Sequence, residues 1–323
     1  MGMLGFMYRQ KTAHPAPVPF HDLSGQTVLV TGANVGIGME ATRQLMGFKV
    51  ARVIMAVRTP AKGEEAKAQL LKTNPTCDVQ VWPLDMDSFD SVIAFGQRAQ
   101  QLDRLDLVLL NAGLKKQAFE QNNATGHETT IQVNHLATSL LSLLLLPPLR
   151  QTAAKYRKPS RMTLTASEVH MWATFKEKSA PNIIKEMDDK TTWAYPERYN
   201  LSKLLNVLWA RELASKVSKD QVIINTVNPG LVKSSLHREN TNAAEQKFTA
   251  FFGWTPEEGG RTLVNASVAQ GPGTHGRYMS ECKPTAESPF VRSPEGSQIQ
   301  KKLWNQTIET LQEDTHTTLT GYV

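Results

Sequence analysis

Thr27-Val28-Leu29-Val30-Thr31-Gly32-Ala33-Asn34-Val35-Gly36-Ile37-Gly38 passes from an apolar run through a glycine-rich turn into a helical pattern. A strand that ends in such a turn and feeds a helix brings backbone N–H groups and the positive end of the helix to one place. The glycines there let a pyrophosphate approach closely. The spacing is G-x-x-x-G-x-G rather than G-x-G-x-x-G, and a glycine turn by itself is more often only a tight turn. Its place at the head of a repeating strand–helix pattern favours dinucleotide binding.

That pattern continues along the chain. Residues 52–57, 79–84, 105–110, 162–165 and 222–227 read as further strands, with 276–279 as a short seventh. Helices are expected over 37–48, 60–72, 88–102, 126–146, 197–216 and 256–269, the last with Thr255 as its N-cap. The expectation is an α/β fold: a doubly wound parallel sheet of the Rossmann type, about seven strands, with helices on both faces in a single domain. This dinucleotide-binding domain spans 24–282, after an N-terminal arm (1–23) and before a C-terminal extension (283–323) with a helix near 299–311. Segments 168–196 and 234–255 follow strand ends and are longer than usual connections, which marks them as substrate-shaping loops.

Composition narrows the setting. The 323 residues are 40% hydrophobic and 20% charged, ordinary for a chain that buries a sizeable core. Net charge is +6, but no basic stripe interleaved with aromatics appears in the sequence, so no nucleic-acid partner is expected. Two cysteines, Cys77 and Cys282, suit neither a disulfide framework nor a metal site, and a reducing, cytoplasmic setting follows. Residues 140–149 (LLSLLLLPPL) form the longest apolar run. Pro147 and Pro148 break it, and it falls short of the roughly 20 residues a bilayer requires, so no integral membrane segment is expected. The Pro-rich part of the first 20 residues reads as a flexible arm or a strap across the surface.

Candidate chemistry lies in Tyr199-Asn200-Leu201-Ser202-Lys203. On a helix, Tyr199 and Lys203 share one face, and a nearby ammonium favours phenolate, lowering the Tyr pKa toward the range of a general acid/base. At the end of the second strand, where a carboxylate would meet an unphosphorylated ribose, the chain carries Arg58, with Lys62 one turn into the next helix. Arg58 suits a 2′-phosphate, which favours NADP over NAD. His127, His135 and His170 lack metal-like spacing, and no metal is expected. Trp172, Phe175, Trp193, Phe251, Phe252 and Trp254 fall in the two long loops, where they either form an apolar substrate pocket or fasten the loops; the pocket is favoured.

Over about residues 24–282 the chain resembles the short-chain dehydrogenase/reductase family, and looks closest to its retinol-dehydrogenase-like branch, which includes many fungal oxidoreductases. The matching residues are Gly32, Gly36 and Gly38 of the turn; Asn111-Ala112-Gly113 after the fourth strand; Asn134; Ser167; Tyr199 and Lys203; and Pro229-Gly230. Three departures stand out. Ser167 and Tyr199 are 32 residues apart (199 minus 167), Ser234 stands where Thr is commoner, and the membrane anchor of several retinol dehydrogenases is absent.

The resemblance implies roles. Tyr199 would exchange a proton with the substrate oxygen, and Ser167 would hydrogen-bond the same oxygen. Lys203 would tune Tyr199 and hold the nicotinamide ribose, and Asn134 would anchor a water leading to solvent. NADP(H) would lie along Gly32, Asn34, Val35, Gly36, Ile37, Gly38, Arg58 and Lys62. It would continue past Asp85 (at the adenine amino group, or else a turn or N-cap residue) and Asn111, Ala112 and Gly113, then on to Pro229, Gly230, Val232 and Ser234. The implied activity interconverts a ketone or aldehyde and an alcohol on a fairly apolar small molecule, in fungal secondary metabolism. The alternatives are a non-catalytic NADP-binding regulator or scaffold, and a reduction coupled to cyclisation. Relatives commonly form homodimers through the two central helices, and the leucine run fits either that interface or a buried monomer core.

Overall fold

The computed structural model describes residues 2–234, 236 and 242–322. Helix α1 (Met3–Thr12) is followed by a Pro-containing strap, then β1 (Thr27–Thr31), α2 (Gly36–Met46), β2 (Arg52–Val57), α3 (Pro60–Leu71), β3 (Asp78–Pro83), α4 (Phe89–Ala99) and β4 (Leu107–Leu110). The central helix is composite: α5 (Thr129–Ile131), a π-helical turn (Gln132–Ala137), α6 (Thr138–Leu144) and α7 (Leu146–Tyr156). After β5 (Ser160–Thr165) come α8 (Ile183–Met187), α9 (Glu197–Lys216) and β6 (Val222–Asn228). The chain then forms α10 (Ala243–Phe252), α11 (Pro256–Val264), β7 (Tyr278–Ser280), β8 (Lys283–Thr285) and α12 (Pro294–Thr315).

The strands form one sheet in the order β3-β2-β1-β4-β5-β6-β7-β8. Seven strands run parallel, with registers such as Thr31 opposite Ala56 and Leu109 opposite Thr163. β8 is added antiparallel at the edge, making eight strands where about seven were expected. β1, β4 and β6 are buried along their whole length, which explains their continuous apolar sequence in a sheet covered on both faces. One core face packs α4, α6 and α9, and the other packs α2 and α11. Strand order reverses between β1 and β4, the place where an open α/β sheet splays its carboxyl ends into a crevice.

The leucine run differs from its sequence reading in one respect. Pro147 and Pro148 do not end the helical path: α7 begins at Leu146, and its first turn accepts prolines because their missing N–H groups have no intrahelical partner there. The resulting stretch Thr129–Tyr156 is long and apolar enough to cross a membrane, yet its most apolar window is entirely buried inside the fold. It is a core helix.

α12 packs against both central helices. Trp304 stacks on Trp209 of α9 with ring centroids 4.3 Å apart. Thr307 bonds His135 at 2.9 Å, and Gln300 donates to Glu212 at 2.8 Å. His127 bridges Asp188 (2.7 Å) and Asp314 (2.8 Å), fixing the end of the helix.

Replacing Trp304 by Ala removes the stacked ring and leaves a cavity against α9. The expected cost is about 3–5 kcal/mol, read as a lower denaturant midpoint in equilibrium unfolding.

Candidate active site

A cavity of about 1280 Å³ opens at the carboxyl ends of the strands, larger than the roughly 300–1,000 Å³ usual for one small ligand. Its wall includes the glycine turn, Arg58, Lys62, Asp85, Asn111 to Gly113, Ser167, Tyr199, Lys203, Pro229, Gly230, Val232 and Ser234. Gly38 and Asn134 do not line it; both act from behind the wall.

The turn after β1 needs its glycines. Gly32 and Gly36 hold φ of +66° and +58°. A Cβ on Gly38 would meet the Gly32 carbonyl oxygen at 2.4 Å and Asn111 Nδ2 at 2.5 Å, so a side chain there would push α2 away from the sheet. The N-cap of α2, Val35, supplies no side-chain hydrogen bond, and Val35 itself is 45% exposed on the cavity wall. The first N–H groups of α2 therefore lack a protein cap on the side where an anion would approach. Thr31 Oγ1 accepts from the N–H groups of Asn111 (2.8 Å) and Ala112 (2.9 Å), while Asn111 Nδ2 donates to Thr31 O at 3.0 Å. These bonds lock the Asn-Ala-Gly loop to the glycine turn.

The buried side-chain atoms Asn111 Oδ1, Asp87 Oδ1 and Thr165 Oγ1 have no hydrogen-bond partner within the protein, and all three residues line the cavity. Unpaired buried polar atoms around a roomy crevice fit a long polar ligand such as a dinucleotide. Arg58 and Lys62 are exposed at the end of this wall. Asp85 is the turn residue rather than the N-cap: its Oδ1 accepts from Asp87 N at 3.0 Å, and Ser88 caps α4.

Ser167 ends the segment after β5 and caps a short 3₁₀ turn by accepting from Val169 N at 3.3 Å. Tyr199 and Lys203 lie one turn apart on α9, with Lys203 Nζ 5.7 Å from the Tyr199 ring centroid. Nζ donates to Thr165 O at 3.0 Å, which aims it between β5 and the Gly113 loop. Burial pushes the Lys203 ammonium down to about 8 and the Tyr199 phenol well above its usual value. The second shift is opposite to the lowering expected from the spacing. Desolvation alone sets the direction.

Asn134 sits in the π-helical turn and spends its amide on the neighbouring loop. Its Oδ1 accepts from Leu114 N (2.9 Å), and its Nδ2 donates to Leu114 O (2.8 Å) and Ser202 Oγ (3.0 Å). The side chain thereby ties the loop after β4 to α9.

Of the six loop aromatics, only Trp172 lines the cavity. Phe175 is core, Trp193 donates to Glu128 (3.1 Å), Trp254 packs over Gly230 (φ +79°), and Phe251 points outward at 66% exposure. Those that fasten the loops outnumber the pocket residue, because a loop must bury apolar anchors to hold any shape. Residues 235 and 237–241 of the expected 234–255 loop lie outside the described residues.

Sequence reasoning missed several neighbours. Asn228 Oδ1 accepts from both Glu168 N and Gly230 N at 3.1 Å, joining the Ser167 segment to the Pro-Gly turn. Lys115 lies 5.8 Å above the Tyr199 ring and 3.7 Å from Glu245, which also accepts from Tyr195 at 2.7 Å. His170 lies behind Ser167, with Nδ1 bonded to Ser167 O (2.7 Å) and Nε2 accepting from Ser288 N (3.3 Å). No local spacing marks these residues; the sheet brings them together.

A profile of the short chain dehydrogenase family matches residues 26–155. The chain is 53% identical over 281 residues to the short chain dehydrogenase sol3 of Alternaria solani, covering 87% of this chain and 98% of that protein. It is 39% identical to the short chain dehydrogenase/reductase dmxR8 of Cryptosporiopsis sp. (strain 8999), covering 95% and 97%. Among solved structures, the RhlG/NADP active-site complex of Pseudomonas aeruginosa matches with a TM-score of 0.62 at 21% identity, covering 81% of this chain and 97% of that one. L-sorbose reductase of Gluconobacter frateurii, complexed with NADPH and L-sorbose, matches with a TM-score of 0.59 at 18% identity, covering 80% and 95%. The structural matches speak to the fold alone. Fold, crevice and relatives together define an oxidoreductase that binds a nicotinamide cofactor. The chain belongs to the short-chain dehydrogenase/reductase family, and its similar relatives include fungal members.

Burial holds the His170 imidazole down at about 4, below its unfolded value near 6.5. Between those pH values the unfolded chain binds more protons, so stability falls as pH drops from about 6.5 toward 4. His135, held at about 3, adds to this slope; His127, where burial is outweighed by Asp188 and Asp314, opposes it. Urea midpoints measured from pH 4 to 7 are expected to show a shallower slope in His170→Gln than in the wild type.

Proposed function

We propose that the protein is an NADP(H)-dependent oxidoreductase that interconverts a ketone or aldehyde and an alcohol on a fairly apolar substrate, in the secondary metabolism of a fungal cytoplasm. The observation that carries this reading is the convergence of Ser167, Tyr199 and Lys203 on the cavity that also holds the glycine turn and Arg58.

The residues present suit such a cofactor. The uncapped start of α2 would take the pyrophosphate, Arg58 and Lys62 the 2′-phosphate, Asp85 the adenine end and Lys203 the nicotinamide ribose. Pro229, Gly230, Val232 and Ser234 would bound the nicotinamide. When bound, the cofactor supplies the hydride. The chain's own part is alignment and proton handling. Ser167 would hydrogen-bond the carbonyl oxygen, and Tyr199 would give that oxygen its proton or take it back. The raised phenol pKa keeps Tyr199 protonated, as a donor in the reducing direction requires. Lys203 places positive charge near the phenolate that remains after transfer. Asn134 ties the loop that carries Gly113 to α9, which carries Lys203.

Replacing Tyr199 by Phe keeps the ring but removes the proton, and carbonyl-dependent NADPH oxidation is expected to fall by about 10²–10⁴-fold with NADPH affinity retained. Activity surviving that change would overturn the proton-transfer role. Arg58→Asp is expected to weaken NADPH binding by tenfold or more, on the order of one charge-assisted pair, while NADH binding changes little. Equal losses for the two cofactors would refute the 2′-phosphate contact.

A further inference from the structure

Helix α1 lies far outside the residues that match the family's motifs, yet it reaches the cavity. Met3, Phe6 and Gln10 fall on one helical face, and Phe6 and Gln10 are 8% and 3% exposed. Met3 and Phe6 line the same cavity as Ser167 and Tyr199. Phe6 meets Trp172 edge to face with centroids 5.5 Å apart, and Trp172 is the loop aromatic that also faces the cavity.

The helix is clamped at several points. Gln10 pairs with the Leu231 backbone in both directions, donating to its carbonyl at 2.8 Å and accepting from its N–H at 3.2 Å. Trp254 Nε1 donates to Gln10 O at 2.7 Å, and the same indole fills the space beside Gly230. Arg9 pairs with Glu168, the residue after Ser167, and with Glu281 at 2.8 Å. Glu168 is 7% exposed, so its carboxylate loses its counter-charge if α1 leaves. α1 is therefore bound to the segments after β5, β6 and β7 at once, and its apolar face is held at a fixed depth.

We infer that α1 forms part of the substrate wall and that Phe6 is a specificity-determining residue, admitting flat, apolar carbonyl compounds that pack against the edge-to-face pair of Phe6 and Trp172. This inference rests on the carbonyl reading above. A ring on the wall helps only substrates large enough to reach it from Ser167 and Tyr199, so Phe6 separates large aryl ketones from small ones.

The test compares wild type, Phe6→Ala and Phe6→Leu in the full chain. Protein saturated with NADP⁺ is titrated with 2-acetylnaphthalene and, separately, with butanone, and binding is followed by tryptophan emission; NADPH affinity is measured alongside. Phe6→Ala is expected to weaken 2-acetylnaphthalene binding roughly tenfold or more, with butanone and NADPH within about twofold of wild type. Phe6→Leu is expected to recover much of the loss, and KM for the aryl ketone to rise while kcat changes little. Unchanged aryl-ketone binding in Phe6→Ala overturns the inference alone, as does an equal loss for both ketones and NADPH. A wild type that binds NADPH but neither ketone overturns the carbonyl reading and this inference with it.

Discussion

The contact between the end of β1 and the loop after β4 is the constraint on which the rest depends. Thr31 Oγ1 receives two backbone N–H groups from that loop, and Asn111 returns a bond to the Thr31 carbonyl. Gly38 lies against Gly32 and Asn111, with no space for a side chain. The same few atoms set the mouth of the crevice, the closeness of α2 and the position of Gly113, whose added Cβ would meet Asn134 and Lys203. A change at this junction would reach the glycine turn and the lysine together.

From that junction the site is assembled as two supports facing each other. α9 presents Tyr199 and Lys203 from a helix buried on most sides, so the spacing of the pair is as rigid as the core. The segment after β5 presents Ser167 from a turn held by Asn228 on one side and His170 on the other. Asn134 joins the supports through Leu114 and Ser202. The backbone beneath each reactive side chain is thus fixed, while Ser167 Oγ also accepts from Val169 N and Lys203 Nζ donates to Thr165 O.

Much of this was legible because it is local. The glycine turn, the apolar strands, Asn111-Ala112-Gly113 and the Tyr199–Lys203 spacing each announce themselves within a dozen residues. Thr255 is the N-cap expected at α11, and Glu258 completes a capping box with it. The prolines at 147 and 148 misled because one residue type serves both to end a helix and to open the next. The expected lowering of the Tyr199 pKa weighed a charge without its burial. α1 was invisible for a different reason. Its partners are Glu168, Leu231 and Trp254, 159, 221 and 244 residues away, and a short helix of mixed polarity carries no periodic signal strong enough to foretell them.

The cover that α12 provides also has an order in time. As the chain leaves the ribosome, α9 and the leucine run emerge well before Trp304 and Thr307, which bury the outer face of those helices. Until then the nascent chain shows a broad apolar surface with nothing of its own to place on it. Release before residue 294 would leave that surface bare. The surface that invites aggregation or chaperone capture therefore closes only when α12 arrives.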